Sequence, residues 1–391
     1  MNRMIQVQDR LSLTISINGR ELLFERVNVL EFLHISSSVR VSLPMLHLRY
    51  IDTVDWLTQT KSLFDGALIH VSVTRSGDNK VTGAFRLNSY RETQLEGRNV
   101  YDIDAYFDAP KYWNSSALEV FEGSSSEALQ HIATQCDIQK TSLTQTADTQ
   151  LWIPGNLRYH EWARFIANRG FASESSCMKL GFDLAKGLLY KNVFEEGPLV
   201  AQFGMAITQP GVIMVTSFAP RTGSGIHNNL HGYNSAFVEQ LPLETTPNRR
   251  HEKLDVNAGA GRQLLMSGTV KSRAAAGSVE FGYLDPGNSN ENYERGLYQN
   301  KRGASLFSLG ADVLTPLTTN VGLLDDVTFV VPKGQTYVKP YSSRYKVISK
   351  TVVVSGIDYY EKFELGALSV NDNYPDSIVS SESGALTSEV N

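Results

Sequence analysis

From Val100 to Ala109 the chain alternates almost without a break. Tyr101, Ile103, Ala105 and Phe107 form one set, and Asp102, Asp104, Tyr106 and Asp108 form the other. Successive strand residues point to opposite sides of the pleat, so this pattern demands a sheet with one buried face and one wetted face. A helix would scatter both sets around its circumference. Asp102, Asp104 and Asp108 are thereby assigned to a solvent or lumen face, and a slip of one residue in register would exchange the faces.

Related signals fill the first hundred residues. Leu11, Leu13, Ile15 and Ile17 alternate with polar residues, Asn18-Gly19 follows, and Leu22 to Phe24 resume the apolar run, which is a two-residue hairpin signal. Val29 to Ser36 and Val39 to Ile51 read as strands, the second with Pro44 inside it and hence an edge or a bulge there. Asp52 to Thr58 reads as one helical turn. A meander follows at Leu68 to Thr74, Val81 to Tyr90 and Val100 to Ala109, with turns at Ser76-Gly77-Asp78-Asn79 and Glu96-Gly97-Arg98-Asn99. Pro110 closes the segment.

Two helices interrupt this β pattern between Ser124 and Phe171. The first opens with a capping-box spacing, Ser124 to Glu127, and sets Ala128, Leu129, Ile132, Ala133 and Cys136 on one face. The second follows Trp152-Ile153-Pro154-Gly155-Asn156, which is expected to supply its cap, and gathers Tyr159, Trp162, Ala163 and Ile166 in one arc before Gly170. Met178 to Asp183 and Leu188 to Lys191 then flank Ala185-Lys186-Gly187 as a hairpin.

Strand signals return at Leu199 to Ile207 and Gly211 to Phe218. Ala219 to Gly225 reads as a loop, and Leu241 to Asn257 as a polar connection. Leu264 to Lys271 and Ser278 to Tyr283 are weak strands, and Asn290 to Lys301 has a polar helical pattern weakened by Gly296. Gly303 to Leu314 is extended, and Val327 to Val331, Arg344 to Val354 and Tyr359 to Leu365 complete a second meander. Phe64-Asp-Gly-Ala-Leu-Ile-His-Val71 leads into the first meander as Leu324-Asp-Asp-Val-Thr-Phe-Val-Val331 leads into the second. This points to two copies of one β-domain, the second interrupted by an insertion.

Composition narrows the function classes. The formal net charge is −5, and Asp372, Asp376, Glu382 and Glu389 account for four of those charges in a tail without Lys or Arg. No concentration of Lys and Arg exists for neutralising phosphates, so sequence-specific DNA binding is not expected. Only Cys136 and Cys177 are present, in neither a CxxC nor a Cys/His cluster, which fits a reducing cytoplasm. Met1 to Arg10 lacks the apolar core of a signal peptide, and no window is apolar enough to span a bilayer as a helix.

The catalytic search finds no set of residues. His160-Glu161-Trp162-Ala163-Arg164 has Arg where H-E-x-x-H needs its second His, and His227 and His231 sit among Asn and Gly rather than on a helix. Gly259-Ala260-Gly261-Arg262 has neither the preceding strand nor the following helix of a phosphate loop. Asp325-Asp326 and Glu195-Glu196 are adjacent acids, not carboxylates converging across a cleft, and read as turn and loop residues. No catalytic residue, metal site or cofactor is expected. Tyr112, Trp113, Tyr359, Tyr360 and Phe363 could line a sugar-binding surface, but aromatics at strand and loop ends more often serve as core or subunit-interface anchors. The structural role is the one expected.

The order of parts resembles the baseplate hub proteins of contractile-tailed bacteriophages. The resemblance rests on Asp65-Gly66 through Tyr106, on Trp152-Ile153-Pro154 leading into the second helix, and on the hairpin ending Gly187-Leu188-Leu189-Tyr190. It continues with the polar helix Asn290 to Lys301, the strand Ala304 to Leu314 and the turn Leu323-Leu324-Asp325-Asp326-Val327. Such hubs are similar in build to the amino-terminal part of type VI secretion spikes. What the resemblance implies is an α+β, mostly β chain with two tube-like antiparallel β-barrel domains, an intervening small α/β domain and an insertion in the second barrel. The corresponding division is 1–110 for the first barrel, 111–198 for the small domain, 199–240 and 303–366 for the second barrel, 241–302 for the insertion and 367–391 for a flexible acidic tail.

The resemblance further implies a homotrimer between the hexameric tail tube and the central spike, in contact with surrounding baseplate proteins. DNA would pass through without specific binding. The location implied is the virion tail baseplate, assembled in the host cytoplasm, with no stable membrane insertion. Spike and cell-wall enzyme would be separate chains, since the sequence shows no repetitive β-helix and no lysozyme-like segment. Two β-domains in each of three chains give six similar units, which lets a three-fold object meet a six-fold one. The alternative is a carbohydrate-binding or carbohydrate-cleaving β-protein of a tail or cell surface, which accounts for the aromatics but leaves the duplication without a purpose.

Overall fold

The computed structural model describes residues 11–22, 29–39, 43–75, 79–173, 176–193, 195–205, 211–222, 235–240, 248–253, 279–284, 309–330, 332–333, 336–337, 343–356 and 358–367. The first β unit contains β1 (Leu11–Ile17), β2 (Arg20–Glu21), β3 (Val29–Ser38), β4 (Met45–Asp52), the short helix α1 (Trp56–Thr60), β5 (Leu68–Arg75), β6 (Val81–Leu95) and β7 (Arg98–Phe107). Asn18 and Gly19 both have positive φ, 51° and 78°, as a type I′ hairpin turn requires. Pairing in this unit is antiparallel throughout. In β7, Tyr101, Ile103 and Ala105 are buried while Asp102 and Asp104 are half-exposed.

Several boundaries differ from the sequence reading, and the helical turn expected from Asp52 to Thr58 is α1, which starts only at Trp56 because the Asp52 side chain instead accepts from the Leu57 N–H at 2.8 Å. Pro44 lies before β4 rather than inside it, because proline has no N–H for the ladder, and its carbonyl accepts from the Phe107 N–H at 2.9 Å. Strand β6 runs past Tyr90 to Leu95, since Arg91 to Leu95 pair with Arg98 to Asp102 around a Glu96-Gly97 tip.

The small domain comprises α2 (Pro110–Asn114), β8 (Phe121–Gly123), α3 (Ser125–Gln135), β9 (Thr141–Leu143), β10 (Gln150–Trp152), α4 (Tyr159–Arg169), β11 (Met178–Asp183) and β12 (Gly187–Asn192). The capping box forms: the Ser124 hydroxyl accepts from the Glu127 N–H at 3.3 Å, and the Glu127 carboxylate accepts from the Ser124 N–H at 2.8 Å. Donation from the Ser124 N–H, and secondarily from its hydroxyl at 2.9 Å, holds the Glu127 carboxyl below the usual carboxylate range. Helix α4 begins later than Pro154-Gly155-Asn156 suggested. Those residues form a turn of their own, with Leu157 N–H donating to Pro154 O, and Arg158 is the N-cap. Trp152, Trp162, Ile132, Ile166, Phe182 and Tyr190 pack the interior, each apolar side chain stabilising by roughly 1.5–3 kcal/mol.

The second half contributes β13 (Leu199–Met205), β14 (Val212–Val215), β15 (Ser217–Thr222), β16 (Ser235–Gln240), β17 (Asn248–Lys253), β18 (Val279–Leu284), β19 (Leu309–Thr315), β20 (Asp326–Val330), β21 (Pro332–Lys333), β22 (Thr336–Tyr337), β23 (Ser343–Ser355) and β24 (Asp358–Ala367). The single strand expected from Gly211 to Phe218 is broken at Thr216, because β14 joins β13 in parallel while β15 turns to pair with β19. Ala219 to Thr222, read as loop, belong to β15. Within the expected polar connection, Asn248–Lys253 forms β17 and pairs with β16, which also pairs with β18. The strand Ser235–Gln240 thus pairs in a three-stranded sheet of its own with β17 and β18. The strand expected at Leu264 to Lys271, the helix expected at Asn290 to Lys301, the residues from Leu368 onward, His227, His231 and Gly259 to Arg262 lie outside the described residues.

Fourteen strands form one sheet in the order β14-β13-β20-β23-β3-β4-β7-β6-β5-β1-β2, with β15, β19 and β24 branching from β23. The joint is β23. Its start pairs with β20, its length with β24, and Ser349 to Val354 pair with β3 of the first unit. Val352, Val354 and Tyr359 therefore complete the core around Ile15, Leu48, Ile69, Phe85 and Ile103. Tyr345, Val347, Phe363 and Leu365 belong to a second core with Phe203, Val313, Val327 and Phe329. The fold is mostly β with a small α/β domain set between the β segments.

Candidate assembly surface

Strands β20, β23 and β24 run as an antiparallel meander, and so do β5, β6 and β7. Each follows a turn with positive φ, at Gly66 (75°) and at Leu324 (59°). The flanks differ: β1 joins β5 antiparallel, whereas β13 joins β20 in parallel.

On the face of β3, β4, β7 and β6 turned away from the core, acids and bases alternate across strands. Arg49 Nε donates to Asp102 at 2.6 Å, His47 Nδ1 lies 2.6 Å from Asp104, and Arg86 Nε donates to Asp108 at 2.6 Å. The Asp102 hydrogen bond raises the pKa of the Arg49 guanidinium. Each acid picked out by the alternation thus has a basic partner on a neighbouring strand, and Arg49 also lies 3.8 Å from Glu31 of β3, so the face carries no excess of cations. Sequence alone hid this, because the partners are set by register between distant strands. Phe32 sits 5.0 Å from the rings of both His34 and His47 on the same face. Burial, and secondarily the His47 charge, lower the His34 pKa.

The sheet has bare edges among the described residues. Beyond Leu87, whose N–H donates to Ala67 O, no described strand pairs with the outer side of β6 as far as Leu95. Tyr90 and Leu95 are exposed on that arm. The outer side of β14 and, from Leu11 to Thr14, the outer side of β1 likewise have no described partner.

The aromatic candidates separate. Tyr112 is fully buried beside Phe182, Tyr359 is buried with its hydroxyl donating to Glu361 at 2.7 Å, and Phe363 is fully buried against Phe203. These three fill the chain's own cores, so no partner surface or sugar reaches them. Trp113 and Tyr360 are half-buried, and Trp113 stacks between Tyr106 and His160 at 5.0 and 4.3 Å. A carbohydrate surface built on all five is not present.

The adjacent acids read as turn residues have a larger role. Lys186 pairs with Asp325; Lys346 and Arg344 both pair with Asp326, the latter at 3.0 Å; Arg344 also reaches Glu196 at 3.0 Å. Lys346 Nζ donates to Glu195 O at 2.8 Å. This knot ties the β11–β12 hairpin and the segment before β13 to β20 and β23. Burial pushes the Cys136 thiol up to about 12, which keeps it un-ionised and a poor nucleophile. No group of three or more metal-ligating side chains occurs among the described residues, and none of their helices is long and apolar enough to cross a membrane.

No protein-family model matches the chain, and no curated protein does. Solved structures do. The tail protein of Neisseria meningitidis MC58 matches 93% of this chain and 97% of its own at TM-score 0.57 and 11% identity. The 43 kDa tail protein of prophage MuSo2 from Shewanella oneidensis matches 91% of this chain and 98% of its own at TM-score 0.62 and 9% identity. The chain has the fold of these two tail proteins. Within this tail-protein fold the match extends over nearly the full length of both neighbours, so it takes in the small α/β domain as well as the long sheet.

Proposed function

We propose that this chain is a structural baseplate hub of a phage tail, without catalytic activity. Three copies form a ring with six similar β units, joining the hexameric tail tube above to the central spike below, within a shell of other baseplate proteins. The observation that carries this reading is the single sheet with two antiparallel meanders and bare outer edges. A bare edge invites pairing with another chain, and a closed ring satisfies that demand with a finite number of copies. The likeness to two tail proteins supports the setting in a virion tail. The face of β3, β4, β7 and β6, whose Arg49 and Arg86 are matched by acids among the described ion pairs, suits a channel wall that DNA passes without being held, because binding nucleic acid requires an excess of cations.

Sedimentation of the purified protein, combined with negative-stain imaging, tests the reading. The expected particle has a mass of about 130 kDa, three chains of 43.4 kDa, with a central hole and three-fold symmetry. A chain that stays monomeric both alone and when mixed with the spike protein of the same tail would overturn it.

A further inference from the structure

Four of the large apolar side chains exposed in the described chain cluster on one small ribbon, the pair of strands β8 and β10. Leu118 is 77% exposed, Val120 53%, Leu151 55% and Ile153 58%. The register explains why they share a face. Trp152 opposes Phe121 and Leu151 opposes Glu122. Trp152 turns inward, where its Nε1–H donates to Gly123 O at 2.9 Å, so Leu151 and Glu122 turn outward. Val120 and Ile153 each lie one position beyond the inward pair, and alternation returns them to the outer face. Leu118, two positions before Val120, continues the apolar run.

Glu122 lies on this face directly across from Leu151, at the end of the apolar run away from Leu118. It is exposed and has no ion-pair or hydrogen-bond partner among the described residues, whereas Glu119 turns toward His131, at 3.5 Å, the ring on which Phe121 stacks. A scattered exposed leucine needs no explanation, but an apolar cluster that ends on an unpaired carboxylate does.

We propose that the outer face of the β8–β10 ribbon docks a different protein, through a segment that presents apolar side chains together with a Lys or Arg aimed at Glu122. Charge decides among the possible occupants. A second copy of this chain, packed about a two-fold axis, would set Glu122 against Glu122. An anionic lipid surface would repel Glu122. A cationic, apolar protein segment satisfies the carboxylate and covers the leucines at once. The inference does not depend on the ring, since the ribbon belongs to the small domain and not to the bare sheet edges.

The test uses the full chain and two short synthetic peptides, one alternating Leu with Lys and one alternating Leu with Glu, followed by fluorescence anisotropy. The wild-type chain is expected to bind the Lys peptide about tenfold more tightly than the Glu peptide, a difference of about 1.4 kcal/mol. Glu122→Lys is expected to reverse that preference, and Leu151→Asp combined with Ile153→Asp to abolish binding of both. Amide hydrogen exchange on the unmutated chain should show protection by the Lys peptide at 118–123 and 150–153, a readout that does not depend on any variant folding. Equal binding of the two peptides, no protection at the ribbon, or no response to Glu122→Lys would overturn the proposal. So would self-association that disappears with Leu151→Asp, or binding of the chain to anionic vesicles. A monomeric chain that still shows the charge-dependent peptide binding would sink the ring alone.

Discussion

Glu361 shows how much a single residue can organise here. Its carboxylate is fully buried and receives the Thr319 N–H at 3.2 Å, the Thr319 hydroxyl at 2.6 Å, the Tyr359 hydroxyl at 2.7 Å and the Lys350 ammonium at 3.2 Å. Removing one partner of such a set leaves the others desolvated and unpaired. Glu361→Ala should lower the unfolding free energy by about 3–5 kcal/mol in urea titrations, and Glu361→Gln by less, because an amide oxygen still accepts from Thr319. A second residue-scale expectation concerns acid. Burial lowers the His34 pKa below the ordinary 6.5, so the unfolded chain binds more protons than the folded one as pH falls through 6.5. Stability is therefore full above that value and declines as the pH drops toward the folded-state pKa. His34→Gln should flatten this decline, read as urea midpoints at neutral and mildly acidic pH. Sequence exposed the faces of β7 but not these networks. Alternation fixes which side Asp104 takes, whereas its partner His47 depends on a register between strands far apart in the chain.

At the scale of elements, strands and helices with strong local signals were legible, and those shaped by their neighbours were not. The Ser124–Glu127 box starts α3 as its spacing predicts, since both hydrogen bonds are local. Helix α4 starts only at Tyr159, after Pro154 to Leu157 have closed a turn that the apparent cap obscured. Strand β15 runs through Pro220, a residue that reads as loop, and pairs on the side of β19. The arm of β6 from Ser89 to Leu95 is the element on which assembly is expected to depend most. Tyr90→Lys together with Leu95→Lys places charges on its bare edge and should shift the particle toward monomer in sedimentation, with the thermal melt of the chain unchanged. Unchanged sedimentation would move the subunit contact to β1 or β14.

At the scale of the whole molecule, the knot around Asp325 and Asp326 and the shared strand β23 make one structure of parts that look separable in sequence. Asp326→Ala leaves the buried Lys346 ammonium without its counter-charge and should cost about 3–5 kcal/mol. Because β23 serves both cores, calorimetry should show the unfolding of both β units shift together, not a second transition split from the first. The long strand read at Arg344 to Val354 was visible in its own residues. The crossing of β23 into the first core was not, since nothing local to Ser349–Val354 announces a partnership with β3. That partnership also imposes an order in time. A ribosome delivers β3 long before β23, so the growing chain carries β3 with one side of its backbone unsatisfied until nearly the last segment has emerged. On a polysome crowded with identical nascent chains, the strand that finally seals each molecule is also the one its neighbours could supply, and the yield of soluble protein should fall as translation slows between β3 and β23.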